Sequence, residues 1–274
     1  MSSHPPASPL VPAKKPRGLR ADVLTVQQNL AATRSRAQAL ILAGAVVRDN
    51  GVRVNKAGEL LPADCTLQLK GQPNPYVSRG GLKLQAALQH FAAHGGLCVQ
   101  GAHCLDVGAS TGGFTDCLLQ HGAAQVVALD VGYNQLAYSL RQHPQVVVLE
   151  RLNIRHATVQ LLPHPFDVVV IDVSFISLRT VLPTLLPFVR AGTHLVALVK
   201  PQFEVGRGNV GKSGVVRDAA ARQAVLQTIS AQATALGLAD VAAIDSPIVG
   251  AKGNHEFLLH GVFASSAQAG AKVP

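Results

Sequence analysis

The groups best suited to chemistry in this 274-residue chain stand at the ends of apolar runs. Asp172 closes DVVVID, Lys200 closes HLVALVK, and Glu256 lies near the start of HEFLL. A lysine at the end of an apolar run sits where burial or a neighbouring cation favours the neutral amine. A neutral amine can take a proton from a hydroxyl, with a carboxylate to orient it. Lys83, on a helical stretch ahead of these runs, is the candidate neighbouring cation. Singly, each of the four reads as a capping or surface charge. Their joint placement points to acid–base work on a hydroxyl.

A second constellation is LDVGASTGGF, from Leu105 to Phe114. Gly108, Gly112 and Gly113 let backbone approach a ligand closely, and the helix that follows offers free N–H donors at its start. The spacing is neither G-x-G-x-x-G nor a P-loop. Asp106, ahead of the first glycine, is expected to set a carboxylate against the ligand, which suits a cationic or hydroxyl-bearing group better than a pyrophosphate. Asp130 ends the next strand, where a carboxylate can bind ribose hydroxyls. Together these favour S-adenosylmethionine over a dinucleotide. The [DN]-P-P-[YF] tetrapeptide of amino-methylating enzymes is absent, with DVSF (172–175) in its position. No cysteine follows the fourth strand, which weakens transfer to carbon. A hydroxyl acceptor fits better.

These groups need a scaffold, and the apolar pattern supplies one. Strands are expected at 103–108, 125–131, 146–150, 167–173, 194–200, 240–245 and 255–263. Helices fit over 82–91, 113–121, 134–142, 177–190 and 217–236. Near-continuous Val/Ile/Leu strands alternating with helices imply a mainly parallel sheet covered on both faces, a Rossmann-like α/β domain. Ahead of it the pattern differs. Arg20–Leu30 and a stretch from Thr33 to Gly44 have helical spacing, VVRDNGVRV folds about Asn50-Gly51 as a hairpin, and 66–69 is one more short strand. This is a small α+β module. The expected boundaries are a Pro-rich basic arm at 1–18, the module at 19–70, a linker at 71–77, the α/β domain at 78–263 and a structureless tail at 264–274.

Composition narrows the class. Apolar residues make up 48 % and charged residues 14 %, so a sizeable core is available and global disorder is excluded. The formal charge of +9 is lopsided: residues 1–76 hold 10 Lys/Arg against 4 Asp/Glu, while 77–274 hold 14 against 11. A basic module joined to a nearly balanced domain suggests a polyanion partner. The four cysteines (Cys65, Cys98, Cys104, Cys117) lack C-x-x-C spacing, which points to reduced thiols, three of them in buried segments, and to no structural metal. No run is apolar enough to cross a bilayer, and no signal-peptide centre opens the chain. A cytoplasmic protein is expected.

Read together, YVSRGGLKL (76–84), CLDVGASTGGFTDCLLQ (104–120), VIDVSFISL (170–178), LVKPQFE (198–204), VGKSGVVRD (210–218) and GNHEFLL (253–259) closely resemble the haemolysin-A-like, TlyA-type rRNA 2′-O-methyltransferases, whose catalytic domain is FtsJ-like. The resemblance covers about Arg20–His260. The N-terminal module resembles the RNA-binding fold named after ribosomal small-subunit protein four, with one extra residue between Gly44 and Asn50. The resemblance implies a catalytic tetrad of Lys83, Asp172, Lys200 and Glu256. It also implies S-adenosylmethionine held by Asp106, Gly108, Ala109, Ser110, Thr111, Gly112, Gly113, Phe114 and Asp130, with Asn153 meeting the adenine. The expected substrate is ribosomal RNA or a ribosomal subunit, contacted by Arg34, Arg36, Arg48, Arg53 and Arg79. An RNA-binding, ribosome-associated factor with a catalytically idle methyltransferase fold is the alternative, and the intact tetrad counts against it. A nicotinamide oxidoreductase is disfavoured by the missing G-x-G-x-x-G. A secreted cytolysin is disfavoured by the lack of any amphipathic repeat or barrel-like run of strands.

Overall fold

The structure, a computed structural model, describes residues 18–264 apart from 71–73, 163–164, 207–209 and 212–213. The expected arm up to residue 17, the tail from 265, the start of the linker and Lys212–Ser213 of the VGKSGVVRD motif lie outside the described residues. The chain forms two compact units that meet between Pro73 and Asn74.

The smaller unit opens with β1 (Leu19–Arg20), α1 (Ala21–Gln27) and α2 (Arg34–Leu42). It continues with β2 (Val46–Arg48), β3 (Leu60–Leu61) and β4 (Leu67–Leu69). Leu24, Ala37, Leu40, Ile41, Val46, Val54 and Leu61 form its core. Asp22, at the start of α1, is fully buried and accepts from Arg20, Arg34 and Gln38, an arrangement that holds its carboxyl far below the usual range. The Asn50-Gly51 turn is present, with Gly51 at φ 78°. The hairpin forms about it: the Arg48 amide donates to the Val52 carbonyl at 2.8 Å, the Val54 amide donates to the Val46 carbonyl at 3.0 Å, and Val47 bridges Arg53. On its other edge β2 pairs antiparallel with β4.

In the larger unit, α3 (Gly80–Gly95), β5 (His103–Val107), α4 (Gly113–Gln120), β6 (Gln125–Leu129), α5 (Tyr138–Arg141) and β7 (Val146–Leu149) come first. They are followed by β8 (Val168–Ile171), α6 (Leu178–Val181), β9 (His194–Val199) and α7 (Pro201–Glu204). Last come α8 (Ala219–Ala235), β10 (Leu238–Asp245) and β11 (Phe257–Phe263). One seven-stranded sheet runs β10-β11-β9-β8-β5-β6-β7. β5 through β9 pair in parallel, and β11 runs antiparallel between β9 and β10. Strand order reverses between β5 and β8, which opens a crevice at their carboxyl ends. Side-chain alternation splits the core into a layer on each face, with Leu105, Val107, Val169 and Ile171 in one and Cys104, Val168 and Val170 in the other.

Two helices are shorter than their apolar spacing predicts. Within 177–190 only Leu178–Val181 is α-helical; Leu182–Phe188 is a 3₁₀ stretch holding Pro183 and Pro187, which lack the N–H that an α-helix needs. Within 134–142 only Tyr138–Arg141 is helical. Cys104 and Cys117 are buried, whereas Cys65 is half-buried and Cys98 exposed, one fewer buried thiol than expected.

His260 of β11 is buried against the ring of Phe91 on α3 and 3.0 Å from His194 Nδ1 on β9. Burial, helped by His194 and opposed by Asp240, holds its imidazole down at about 4. Between the ordinary histidine value and pH 4 the unfolded chain therefore binds a proton that the folded chain does not. Stability should be full above about pH 6.5 and fall as pH drops towards 4. Thermal unfolding from pH 7.5 to 5 should show a falling Tm, with a flatter profile in His260→Gln.

Candidate active site

The glycine turn after β5 and the segment after β8 approach each other at the sheet's reversal point. Gly108 has φ 88°, and a Cβ there would stand 2.5 Å from the Asp172 carbonyl oxygen, so no other residue fits without moving backbone. Gly113 starts α4 where α3 also starts, and a Cβ on it would meet Ser78 Oγ and the Gly81 amide. The two helices can abut because of these glycines, and α3 thereby carries Lys83 to the crevice.

Two cavities flank the turn and share Gly108 and Ser110. The larger, about 470 Å³, is walled by Leu129, Val173 and Ile176, with Asp130 and Asn153 as its polar ends. It has one carboxylate and no cationic side chain among its described lining residues. Asp130 Oδ2 accepts from the Ser110 amide at 2.8 Å and Oδ1 from the Gly132 amide at 2.6 Å. Each oxygen keeps a further lone pair for a ligand hydroxyl. Asn153 Oδ1 accepts from the Arg155 amide, so its amide nitrogen is the group left to donate. The smaller cavity, about 230 Å³, is lined by Arg79, Lys83, Ala109, Thr111, Phe114 and Asp172, among others.

The four candidate reactive groups come together as two ion pairs. Lys200 Nζ lies 2.6 Å from Asp172 Oδ1 and donates to Ser174 Oγ at 2.9 Å. The Lys200–Asp172 contact is an ion pair whose direction leaves Oδ1 without a hydrogen-bond donor. Lys83 Nζ donates to Glu256 Oε2 at 2.5 Å. Lys83, Lys200 and Glu256 are all buried, at 8 %, 9 % and 3 % exposure. Lys83 and Asp172, one from each pair, line the same cavity, so the pairs converge on it.

Asp106 is not where the sequence suggests. Alternation along β5 turns it to the face of Cys104, under α4, where it is fully buried and accepts from Thr115 Oγ1 at 2.6 Å. Burial pushes its carboxyl up to about 7 despite that hydrogen bond, and its Oδ1 has no partner. It supports the turn from beneath and does not line the crevice. Among the arginines, Arg34 pairs with Asp22 and Arg48 with Glu59, while Arg53 donates to the Leu42 carbonyl at 3.2 Å. Arg36 and Arg79 are exposed, and Arg79 borders the smaller cavity.

Sequence reasoning missed the residues that lock the two reactive loops together. Glu204, four positions after Lys200, accepts from Ser177 Oγ at 2.5 Å and from the Leu178 amide at 2.7 Å. It ties the start of α6 to α7. Phe175, 91 % exposed and at φ 65°, has its ring 5.1 Å from that of Phe203 on α7. The one available signal was the position of Glu204 within LVKPQFE.

Comparison with known proteins shows the family. The chain is 45 % identical over 243 residues to the 16S/23S rRNA (cytidine-2′-O)-methyltransferase TlyA of Mycobacterium tuberculosis, covering 89 % of each chain. It is 41 % identical over 243 residues to Hemolysin A of Brachyspira hyodysenteriae, covering 88 % of this chain and 99 % of that one. A solved structure of a candidate hemolysin from Streptococcus thermophilus superposes with a TM-score of 0.70 at 44 % identity, over 92 % of this chain and 90 % of the other. Residues 76–263 match the FtsJ-like methyltransferase family, and the chain belongs to that family.

Proposed function

We propose that this protein is an S-adenosylmethionine-dependent methyltransferase acting on the ribose 2′-hydroxyl of ribosomal RNA in the cytoplasm, the activity by which its Mycobacterium tuberculosis relative is named. The observation that carries the reading is the meeting, at the reversal point of the sheet, of a cavity with one carboxylate and no cationic side chain among its described lining residues with two buried ammonium–carboxylate pairs. The residues present fit the cofactor. The Gly108 cradle admits close backbone contact, Asp130 accepts from ribose hydroxyls, Asn153 donates to the adenine, and the apolar wall takes the ring. When bound, S-adenosylmethionine supplies an electrophilic methyl group on a sulfonium, whose C–S bond breaks as the new O–C bond forms.

The chain's own residues do the rest. Lys200 Nζ acts as the neutral amine, after its own proton has passed to solvent, and takes the proton of the 2′-hydroxyl, while Asp172 and Ser174 fix the direction of that amine. Lys83, held by Glu256, orients the acceptor oxygen from the other side. Holding donor and acceptor in line supplies much of the rate. The smaller unit docks the RNA, with Arg36 and Arg53 towards phosphates and Arg34 and Arg48 sharing their charge with Asp22 and Glu59. Arg79 serves the same purpose at the crevice rim. Folded RNA shape, rather than base identity alone, then sets the site.

Lys200→Ala should lower kcat for methyl transfer to rRNA by about a hundredfold or more, with S-adenosylmethionine affinity nearly unchanged. Tritium transfer and mass-spectrometric mapping of the rRNA check this, and unaltered 2′-O-methylation would remove Lys200 as the base. Asp130→Ala should weaken S-adenosylmethionine binding by roughly tenfold or more, because hydrogen bonds to a charged acceptor are lost. Calorimetric titration measures it, with NAD giving no heat for either protein.

A further inference from the structure

A third cavity, about 460 Å³, lies in the larger unit, shares no lining residue with the two cavities at the crevice, and has no role in the chemistry described above. Arg217, Arg222, Lys252 and His255 line it, and no carboxylate does so among the described residues. None of its three permanent cations forms an ion pair with a described residue. Like charges gathered without a counter-charge repel one another, so a folded chain keeps such a cluster at a cost to its stability unless an anion joins it.

The cluster is braced rather than loose. Asn254, 3 % exposed, donates to the Gly214 carbonyl at 3.0 Å and accepts from the Val216 amide at 3.2 Å. It thereby joins the 214–216 strand of chain to the turn at 250–256. Arg222, from α8, donates to the carbonyls of Val216 and Arg217 at 3.2 and 2.8 Å. Lys252 holds a left-handed backbone conformation, φ 57°, and its ammonium lies 3.6 Å from where a Cβ on Gly214 would be. Arg217 and Lys252 are exposed and line the cavity. The same turn carries Glu256, which holds Lys83 at the reactive centre. A ligand seated here is thus tied by four residues of chain to the catalytic carboxylate.

We propose that this basic pocket is a phosphodiester-binding subsite that grips the RNA backbone beside the reacting nucleotide. The inference rests on the rRNA reading above and names a substrate contact within the catalytic unit, separate from the arginines of the smaller unit. Arg217 and Lys252 are the contacting groups; Arg222 and Asn254 are positioning residues that keep the frame.

The test compares wild type with Arg217→Ala, with Arg217→Ala/Lys252→Ala, and with Arg190→Ala, which like Arg217→Ala removes one arginine charge but at the opposite, amino-terminal end of the strands. RNA affinity is measured with ribosomal subunits or rRNA across a salt series, and S-adenosylmethionine affinity and Tm in parallel. The double variant should raise KM for RNA on the order of tenfold and flatten the logarithmic salt dependence by between one and about two, while Tm and cofactor affinity hold. Arg190→Ala should leave both RNA values near wild type. Unchanged RNA KM in the double variant, or a change in Arg190→Ala equal to that in Arg217→Ala, overturns the subsite. A wild-type protein that transfers no methyl group to rRNA would instead overturn the functional reading on which the subsite rests.

Discussion

Two lysine ammonium groups withdrawn from water impose the main constraint on this molecule. A buried charge without a partner costs several kcal/mol, so each ammonium needs a carboxylate held in register. Lys83 finds Glu256 across 173 residues of sequence, and Lys200 finds Asp172 on the neighbouring strand. The pairs bring together α3, the turn ahead of β11, and the ends of β8 and β9. Replacing either pair with apolar residues could leave stability intact, because buried ion pairs seldom outweigh their desolvation. Their retention is better explained by proton transfer than by folding.

That register is available only because backbone meets backbone at Gly108. The chain leaving β5 passes so close to Asp172 that the space for a Cβ is taken by a carbonyl oxygen. The same contact shapes the two cavities, one on each side of the turn. Glu204 then fastens α6 to α7, which joins the segment that follows Asp172 and Ser174 to the one that follows Lys200. Rigidity here has a functional reason, since misplacing an acceptor oxygen by an ångström is costly to rate.

Charge is divided between the units according to task. In the smaller unit Asp22 and Glu59 absorb part of the arginine charge and fix the side chains that carry it. In the larger unit the cavity for the cofactor is acidic, the reactive centre is neutralised pair by pair, and three further cations, Arg217, Arg222 and Lys252, collect in a separate pocket near the 250–256 turn.

Much of this was legible from sequence, for reasons that can be named. Buried parallel strands are written as runs such as DVVVID and HLVALVK, and a reactive group at the carboxyl end of such a run has nowhere to be but the crevice rim. Composition and spacing therefore determined the α/β class, the glycine turn, and the placing of Asp172 and Lys200 at strand ends, while the four paired residues as a set followed from the family resemblance. Helix lengths were misjudged where Pro183 and Pro187 override apolar spacing, whereas the Asn50-Gly51 hairpin formed as its turn chemistry predicts; the additional pairing of β2 with β4 was not foreseen because strand pairing is not local. Only tertiary structure decided which lysine meets which carboxylate, that Asp106 faces α4 rather than the ligand, and that Glu204 clamps two loops. Each depends on side-chain direction and on contacts between distant segments, which one-dimensional periodicity does not encode.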